Sequence, residues 1–361
     1  MRRMRRKTVL AVVGTRPQFV KFAALYRAYR TLRPAYRLEW LDTGQHYDPG
    51  LSDIFMRQLR LPAPRFRFSG RGRSPASQMA AMLTDIERAI LTVRPGLVVV
   101  FGDTNSTLAG AIAASKLNVP LAHVEAGMRS GNRAMPEESN RIITDRLSSI
   151  LFCPTSRSER QLRREGFAAG VHRVGDVMAD LLLAARAPLA RPGTREGYYL
   201  ATIHRNTNTD DPKRLASIAR ALAGLDRRVL MPLHPRTKKL LAKTGAARPG
   251  GRLRFLPPVS YRRMLELEAR ADGVITDSGG VQKEAFLLGV PCVTLRGETE
   301  WPETVEAGMN ALCAPDSKKI LRAMARIRAR GARARTLRPF GDGRAGQRIL
   351  RILGRELERT R

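Results

Sequence analysis

Four acid or base side chains fall where a strand-like run gives way to a loop. They are Asp103 in Gly102-Asp103-Thr104, Glu125 in His123-Val124-Glu125-Ala126-Gly127, Glu137 in Pro136-Glu137-Glu138-Ser139-Asn140-Arg141, and His204 in Thr202-Ile203-His204-Arg205. Carboxyl groups at the ends of neighbouring strands are partly desolvated, and unlike surroundings push their proton affinities apart, as a general acid and a general base require. Each residue has a plainer alternative. Asp103 can cap a helix, Glu137 can pair with Arg141 one turn on, and His204 can be a packed core histidine. It is the joint placement of all four at strand ends or helix starts that points to proton transfer.

Two further segments suit an anion. Gly14-Thr15-Arg16-Pro17-Gln18-Phe19-Val20-Lys21 closes a first strand and opens a helix with Pro17 near its first position. A helix N-terminus offers free N–H groups, and Arg16 and Lys21 add charge that can reach a pyrophosphate. The segment is neither a Walker loop nor a GxGxxG, so NTP hydrolysis and dinucleotide binding lose support. In the second half, Thr276-Asp277-Ser278-Gly279-Gly280-Val281-Gln282-Lys283-Glu284 follows a buried strand and again opens a helix. Gly279 and Gly280 let a phosphate or ribose approach the backbone, Ser278 can donate to a phosphate oxygen, and Glu284, one turn on, can accept ribose hydroxyls. Simple capping by Ser278 or Asp277 accounts for the serine better than for two adjacent glycines.

The elements that must position these residues are short β-rich runs alternating with amphipathic helical stretches, the pattern of parallel sheets covered by helices. One series contains Thr8 to Val13, Leu38 to Asp42, Leu97 to Phe101, Leu121 to Glu125 and Ile150 to Cys153. The other contains Tyr198 to Ile203, Val229 to Leu233, Leu253 to Phe255, Gly273 to Thr276 and Cys292 to Leu295, with a linker over Ala184 to Gly197 between them. The expected fold is α/β with two Rossmann-type domains and a cleft between them. Residues 1–180 form the first domain, joined by a last helix over 345–361 that crosses back to it, and residues 195–344 form the second. Ligands of open α/β sheets sit beyond the carboxyl ends of the strands, where all the residues named above fall.

A chain of 361 residues exceeds the ~250 to 300 at which a single core stops growing, which supports two domains. No apolar run approaches the ~20 residues needed to span a bilayer, so no membrane partner is expected. The basic start and short apolar run of residues 1–13 imitate a signal peptide but lead into Gly14-Thr15-Arg16-Pro17 without a cleavage-like site, and a first strand fits better. Cys153, Cys292 and Cys313 lie far apart, which argues against a disulfide framework or a cysteine-rich metal site and fits a reducing cytoplasm. The net charge of +33 raises nucleic acid as a partner, but arginine is spread along the chain at helix-surface spacing, with only the run from Arg322 to Arg338 concentrated. No nucleic acid is expected.

Together with Thr43-Gly44-Gln45-His46-Tyr47-Asp48 and Pro339-Phe340-Gly341-Asp342-Gly343, these motifs occur in the order seen in non-hydrolysing UDP-N-acetylglucosamine 2-epimerases. The chain resembles that family from about Thr8 to Ile352. The resemblance implies a GT-B-like fold, a UDP-sugar substrate, a homodimer, and no metal or redox cofactor. It implies elimination of UDP across C1 and C2 followed by re-addition with the C2 proton on the other face. Asp103, Glu125 and Glu137 then become the acid/base candidates and His204 assists near the sugar–phosphate bond, while Arg16, Lys21, Gln45, His46, Arg141, Ser278, Gly279, Gly280 and Glu284 bind substrate. Substrate activation, a trait of some members, would involve the Gln45-His46 loop and His234. Gln18 stands where many relatives carry glutamate, and Trp301 where common bacterial members carry arginine. With Gly175-Asp176-Val177-Met178, these resemble a branch that includes archaeal enzymes and epimerases of UDP-2,3-diacetamido-glucuronate. The nearest rival reading is a GT-B glycosyltransferase, which shares the fold and the nucleotide clamp.

Overall fold

A computed structural model describes residues 7–45, 56–69, 74–189, 196–233, 240–241, 251–334 and 338–359. The first unit, Met1–Leu181 with Pro339–Arg361, is built on seven strands. In chain order its elements are β1 (Thr8–Val13), α1 (Arg16–Leu32), β2 (Arg37–Asp42), β3 (Phe66–Arg67), α2 (Pro75–Val93), β4 (Leu97–Phe101), α3 (Asn105–Lys116), β5 (Leu121–Val124), α4 (Pro136–Leu147), β6 (Ile150–Cys153), α5 (Ser156–Arg164), β7 (Val171–Arg173) and α6 (Val177–Leu189). The strands pair in parallel in the order β3-β2-β1-β4-β5-β6-β7. Leu97 to Phe101 is apolar and buried throughout, as expected of a strand covered on both faces. One face packs Phe19, Phe22 and Trp40 with Ile349, Leu353 and Leu357, and the other packs Met82, Ile86 and Ile90 with Ala109 and Ala113.

The second unit, Leu182–Arg338, repeats the plan with β8 (Tyr198–Thr202), α7 (Asn206–Thr209), α8 (Pro212–Ala223), β9 (Arg228–Pro232), β10 (Leu253–Leu256), α9 (Tyr261–Arg270), β11 (Gly273–Thr276), α10 (Gly279–Leu288), β12 (Cys292–Thr294), α11 (Pro302–Glu306), β13 (Asn310–Leu312) and α12 (Ser317–Ala334). Its six parallel strands run β10-β9-β8-β11-β12-β13. Strand order reverses beside β1 and β4 in one sheet and beside β8 and β11 in the other, and those switch points are where open α/β sheets bind ligands.

The last helix, α13 (Ala345–Arg359), packs on α1 through Ile349, Leu350 and Leu353. Asp180 caps it by accepting from the N–H groups of Ala345 at 3.0 Å and Gly346 at 2.7 Å. The return to the first unit falls at Pro339 and not at Ala345, because Phe340 is buried there and its carbonyl accepts from Asp176 N–H at 2.9 Å. Two other expectations need correcting. The stretch read as a linker begins inside α6, since Ala184, Ala185 and Arg186 are strong helix formers that extend the helix to Leu189. The strands β3, β7 and β13 went unread because two or three residues at a sheet's edge carry no alternation to detect. Among the described residues, no helix is long and apolar enough to cross a membrane.

Candidate active site

At the carboxyl edge of the first sheet, β4 leads to Asp103 and β5 leads to Glu125. Asp103 is not the helix cap: Thr104 takes that position, and the Asp103 carboxylate, 29% exposed, pairs with Arg141 Nη2. Arg141 is buried and also donates to Glu138 Oε2 at 2.8 Å. Burial alone would raise the Glu138 carboxyl, but the Ser130 and Gly131 N–H groups, at 2.9 and 3.0 Å, and Arg141 hold it below the usual range. Of the two adjacent glutamates, Glu138 is thus the buried partner of Arg141, while Glu137 stands exposed in the first turn of α4.

Glu125 lies just past the end of β5 with φ of 78°, a left-handed conformation unusual for a residue with a side chain. The N–H groups of Glu125 and Ala126 both bond the Phe152 carbonyl, at 3.1 and 3.0 Å, and hold the turn open. Its carboxylate, 12% exposed, pairs with Lys21. Lys21 is thus buried and turned onto a carboxylate, a partner that the helix-start reading did not include. Beneath lies a network that the motifs did not announce. His123 spans from Asp145 Oδ1, 2.7 Å from Nδ1, to the Gly102 carbonyl, 2.7 Å from Nε2, and so ties β5 to the turn that carries Asp103. Burial would raise Asp145, but His123 and Arg129, the latter at 2.8 Å, keep it below the ordinary carboxylate range.

The loop after β1 is shaped by Gln18. Its Oε1 accepts from the Gly14 and Thr15 N–H groups at 2.8 and 3.2 Å, and its Nε2 donates to the Phe101 carbonyl and Thr107 Oγ1, both at 2.8 Å. An ionised glutamate could not make the last two bonds. Gly14 is required by crowding, because a Cβ there would lie 1.9 Å from Thr43 Oγ1. Gln45, read as a substrate ligand, accepts from the N–H and hydroxyl of Ser106 at 2.9 and 2.6 Å and so braces the start of α3. Arg16 is half-buried at the first position of α1. His46 and His234 lie outside the described residues.

On the second sheet, Asp277 is fully buried and uses its oxygens on the His204 N–H at 3.2 Å, the Arg205 N–H at 3.1 Å and Asn208 Nδ2 at 2.9 Å. This holds the His204 loop, and the His204 side chain is 59% exposed, which rules out a packed core histidine. Ser278 is the N-cap of α10, accepting from Val281 N–H at 3.4 Å, and its own hydroxyl proton stays available to a ligand. Among the described residues a Cβ on Gly280 would meet only Ser278 Oγ, at 3.8 Å, so the space beside its Cα is open. Glu300 flanks the same helix start. Burial would raise it, but Arg296, at 2.8 and 3.1 Å, and the charge of Arg205 hold it down to about 2. Trp301 packs its ring under the Lys283 ammonium at 4.0 Å, so an aromatic stands here as a structural partner of a lysine. Glu284 is buried and accepts from the Tyr261 hydroxyl at 3.0 Å.

Two parallel-sheet units, one carrying partly exposed carboxylates at its strand ends and one opening a helix on paired glycines, define a GT-B-like α/β enzyme. A UDP-glucosyltransferase from Polygonum tinctorium shares the fold, and the fold alone, at 13% identity and a TM-score of 0.67 over 98% of this chain and 99% of that one. The family model for UDP-N-acetylglucosamine 2-epimerase matches residues 31–354, and the chain belongs to that family, as an isomerase of the 2-epimerase type. It is 43% identical to the UDP-2,3-diacetamido-2,3-dideoxy-D-glucuronate 2-epimerase of Pseudomonas aeruginosa, over 96% of this chain and 99% of the relative. Among solved structures it is similar to the Methanocaldococcus jannaschii UDP-GlcNAc 2-epimerase in complex with UDP-GlcNAc and UDP. That match has a TM-score of 0.85 and 37% identity over 96% of this chain and 99% of that one.

Proposed function

We propose that this enzyme interconverts UDP-N-acetylglucosamine and UDP-N-acetylmannosamine by eliminating UDP and adding it back. The C2 proton sits beside an acetamido nitrogen and is not made acidic by a carbonyl, so direct exchange of that proton is slow. In the elimination a base takes the C2 proton, the C1–O bond breaks, its electrons leave with UDP, and a C1=C2 glycal remains. In the return, a UDP oxygen bonds C1 while an acid delivers a proton to the opposite face of C2. Asp103, Glu125 and Glu137 carry the proton steps and His204 acts near the sugar–phosphate bond. Ser278, Gly279 and Gly280 hold the pyrophosphate with Arg16, and Glu284 accepts from the ribose.

The observation that carries this reading is that Asp103 and Glu125 stand at adjacent strand ends, each beside its own cation, Arg141 and Lys21. Groups so placed have a positive charge at hand and still reach solvent. A second substrate, UDP-2,3-diacetamido-glucuronate, is favoured by the 43% identity to the Pseudomonas aeruginosa enzyme. The free thiols of Cys153, Cys292 and Cys313 suit a reducing cytoplasm, and the homodimer is what the family resemblance implies. The test is proton NMR in deuterated buffer with each substrate and no acceptor. The C2 epimer should form with deuterium at C2. An epimer without deuterium would remove the elimination route, and a UDP-sugar consumed only when an acceptor is added would mark a glycosyltransferase.

A further inference from the structure

Glu268, on the inner face of α9, is wholly buried, and no donor group among the described residues reaches either of its carboxyl oxygens. Its hydrogen-bonding neighbour is another acid, Glu284 of α10. Two carboxyl groups can share a hydrogen bond only if one of them carries a proton. Glu284 already accepts from the Tyr261 hydroxyl at 3.0 Å, so it is provided with a donor that favours its ionised form. Glu268 has no such donor and no solvent. We propose that Glu268 is a neutral carboxylic acid whose proton is donated to the Glu284 carboxylate, making it a positioning residue that aims Glu284 at the hydroxyls of a bound nucleoside diphosphate. The role rests on the reading of Glu284 as the ribose acceptor.

The surroundings agree. Burial, first, and then the negative charge of Glu284 hold the Glu268 acid well above the ordinary carboxylate range. From β12 the Cys292 thiol faces the same space, pushed up to about 12 chiefly by burial, so it stays neutral and supplies no compensating charge. On its own helix Tyr261 serves Glu284, and next to Glu284 the Lys283 ammonium sits over the Trp301 ring. Tyr261 and Glu268 both meet Glu284 from the protein side, and together they fix the direction of its carboxylate. An ionised Glu268 would instead place a second negative charge beside the first in a dry setting, and Glu284 would lose the hydrogen bond from that side.

The sign of the pH effect follows. A folded-state acid raised above its unfolded value contributes stability that is complete below the unfolded value and lost as pH rises through the folded one. Raising the pH should therefore weaken UDP binding and lower the melting temperature together.

The experiment is calorimetric titration of UDP into the wild type, E268Q, E268L and E284Q from pH 7 to 9.5, with melting temperatures for each. Uracil's own ionisation is common to all four proteins and cancels on comparison. E268L, which fills the site without a donor, should bind UDP about 10-fold more weakly or worse, the scale of a lost hydrogen bond to a charged group. E268Q restores a permanent donor, so it should recover the affinity and lose the alkaline decline. An infrared band of a protonated carboxylic acid should be present in the wild type and absent from E268Q. Wild-type affinity in a folded E268L would overturn the positioning role, as would an E268Q that binds no better than E268L. Absence of the infrared band would overturn the neutral acid itself. If E284Q binds UDP normally while the band persists, it is the ribose reading of Glu284 that has failed, and the positioning role falls with it.

Discussion

The carboxyl edges of the two sheets share a topology and treat their acids in opposite ways. On the first, Asp103 and Glu125 keep 29% and 12% of their side chains exposed beside Arg141 and Lys21. On the second, Asp277 is fully buried and spends its oxygens on backbone N–H groups and Asn208, while Glu300 is buried between Arg205 and Arg296. An acid that must exchange a proton needs a stabilised charge and a route to substrate. An acid that shapes a loop needs neither. The difference teaches that the same Rossmann plan can leave the acids of one edge partly exposed beside cations and bury those of the other to hold a loop.

The sharpest way to break the comparison is to neutralise the first edge. Asp103→Asn or Glu125→Gln should lower turnover at least ~100-fold while leaving UDP affinity nearly unchanged, since general acid–base groups contribute on that scale. Steady-state rates with a parallel UDP titration check it, and normal turnover would remove that residue from the chemistry. On the second edge the expected effect is on binding. A Cβ on Gly279 would meet Glu300 Oε2 at 3.4 Å and Trp301 Nε1 at 3.5 Å, both ordinary contacts, so Gly279→Ala should fold normally. Its methyl group would crowd the helix start and weaken UDP by about 10-fold, or roughly 1.4 kcal/mol. Unchanged affinity would place the pyrophosphate elsewhere. The smallest effect should come from Asp277→Asn. Its amide oxygen can still serve some of the donors around it, so the loss should be about 1 kcal/mol, or roughly 2–4 °C in melting temperature. A variant as stable as the wild type would show that this carboxylate does not hold the His204 loop.

Much of this was legible in the residues. The apolar runs of β1, β4, β6 and β11 matched the observed strands at both ends, because a strand buried on both faces must be apolar throughout. Asp103, Glu125 and His204 were placed just after such runs, and each lies one or two residues past a strand's carboxyl end. The pairing of Lys21 with Glu125 was not legible, because the two lie 104 residues apart. The choice between Glu137 and Glu138 depends on which side of α4 faces Arg141. A helical count did hold the signal for Glu138, three residues before that arginine.

By itself, then, the order of apolar runs and glycine-bearing loops determined two parallel sheets, the loops at their carboxyl edges and the family, because these depend on local periodicity and on motifs that are contiguous in the chain. Only the tertiary structure decided which acid meets which cation, that Gln45 braces Ser106, that His123 bridges Asp145 to the Asp103 turn, and that Glu268 lies against Glu284. Those pairings join residues from separate elements, and the ionic state of a buried group is set by what lies against it in space, which no local stretch of sequence encodes.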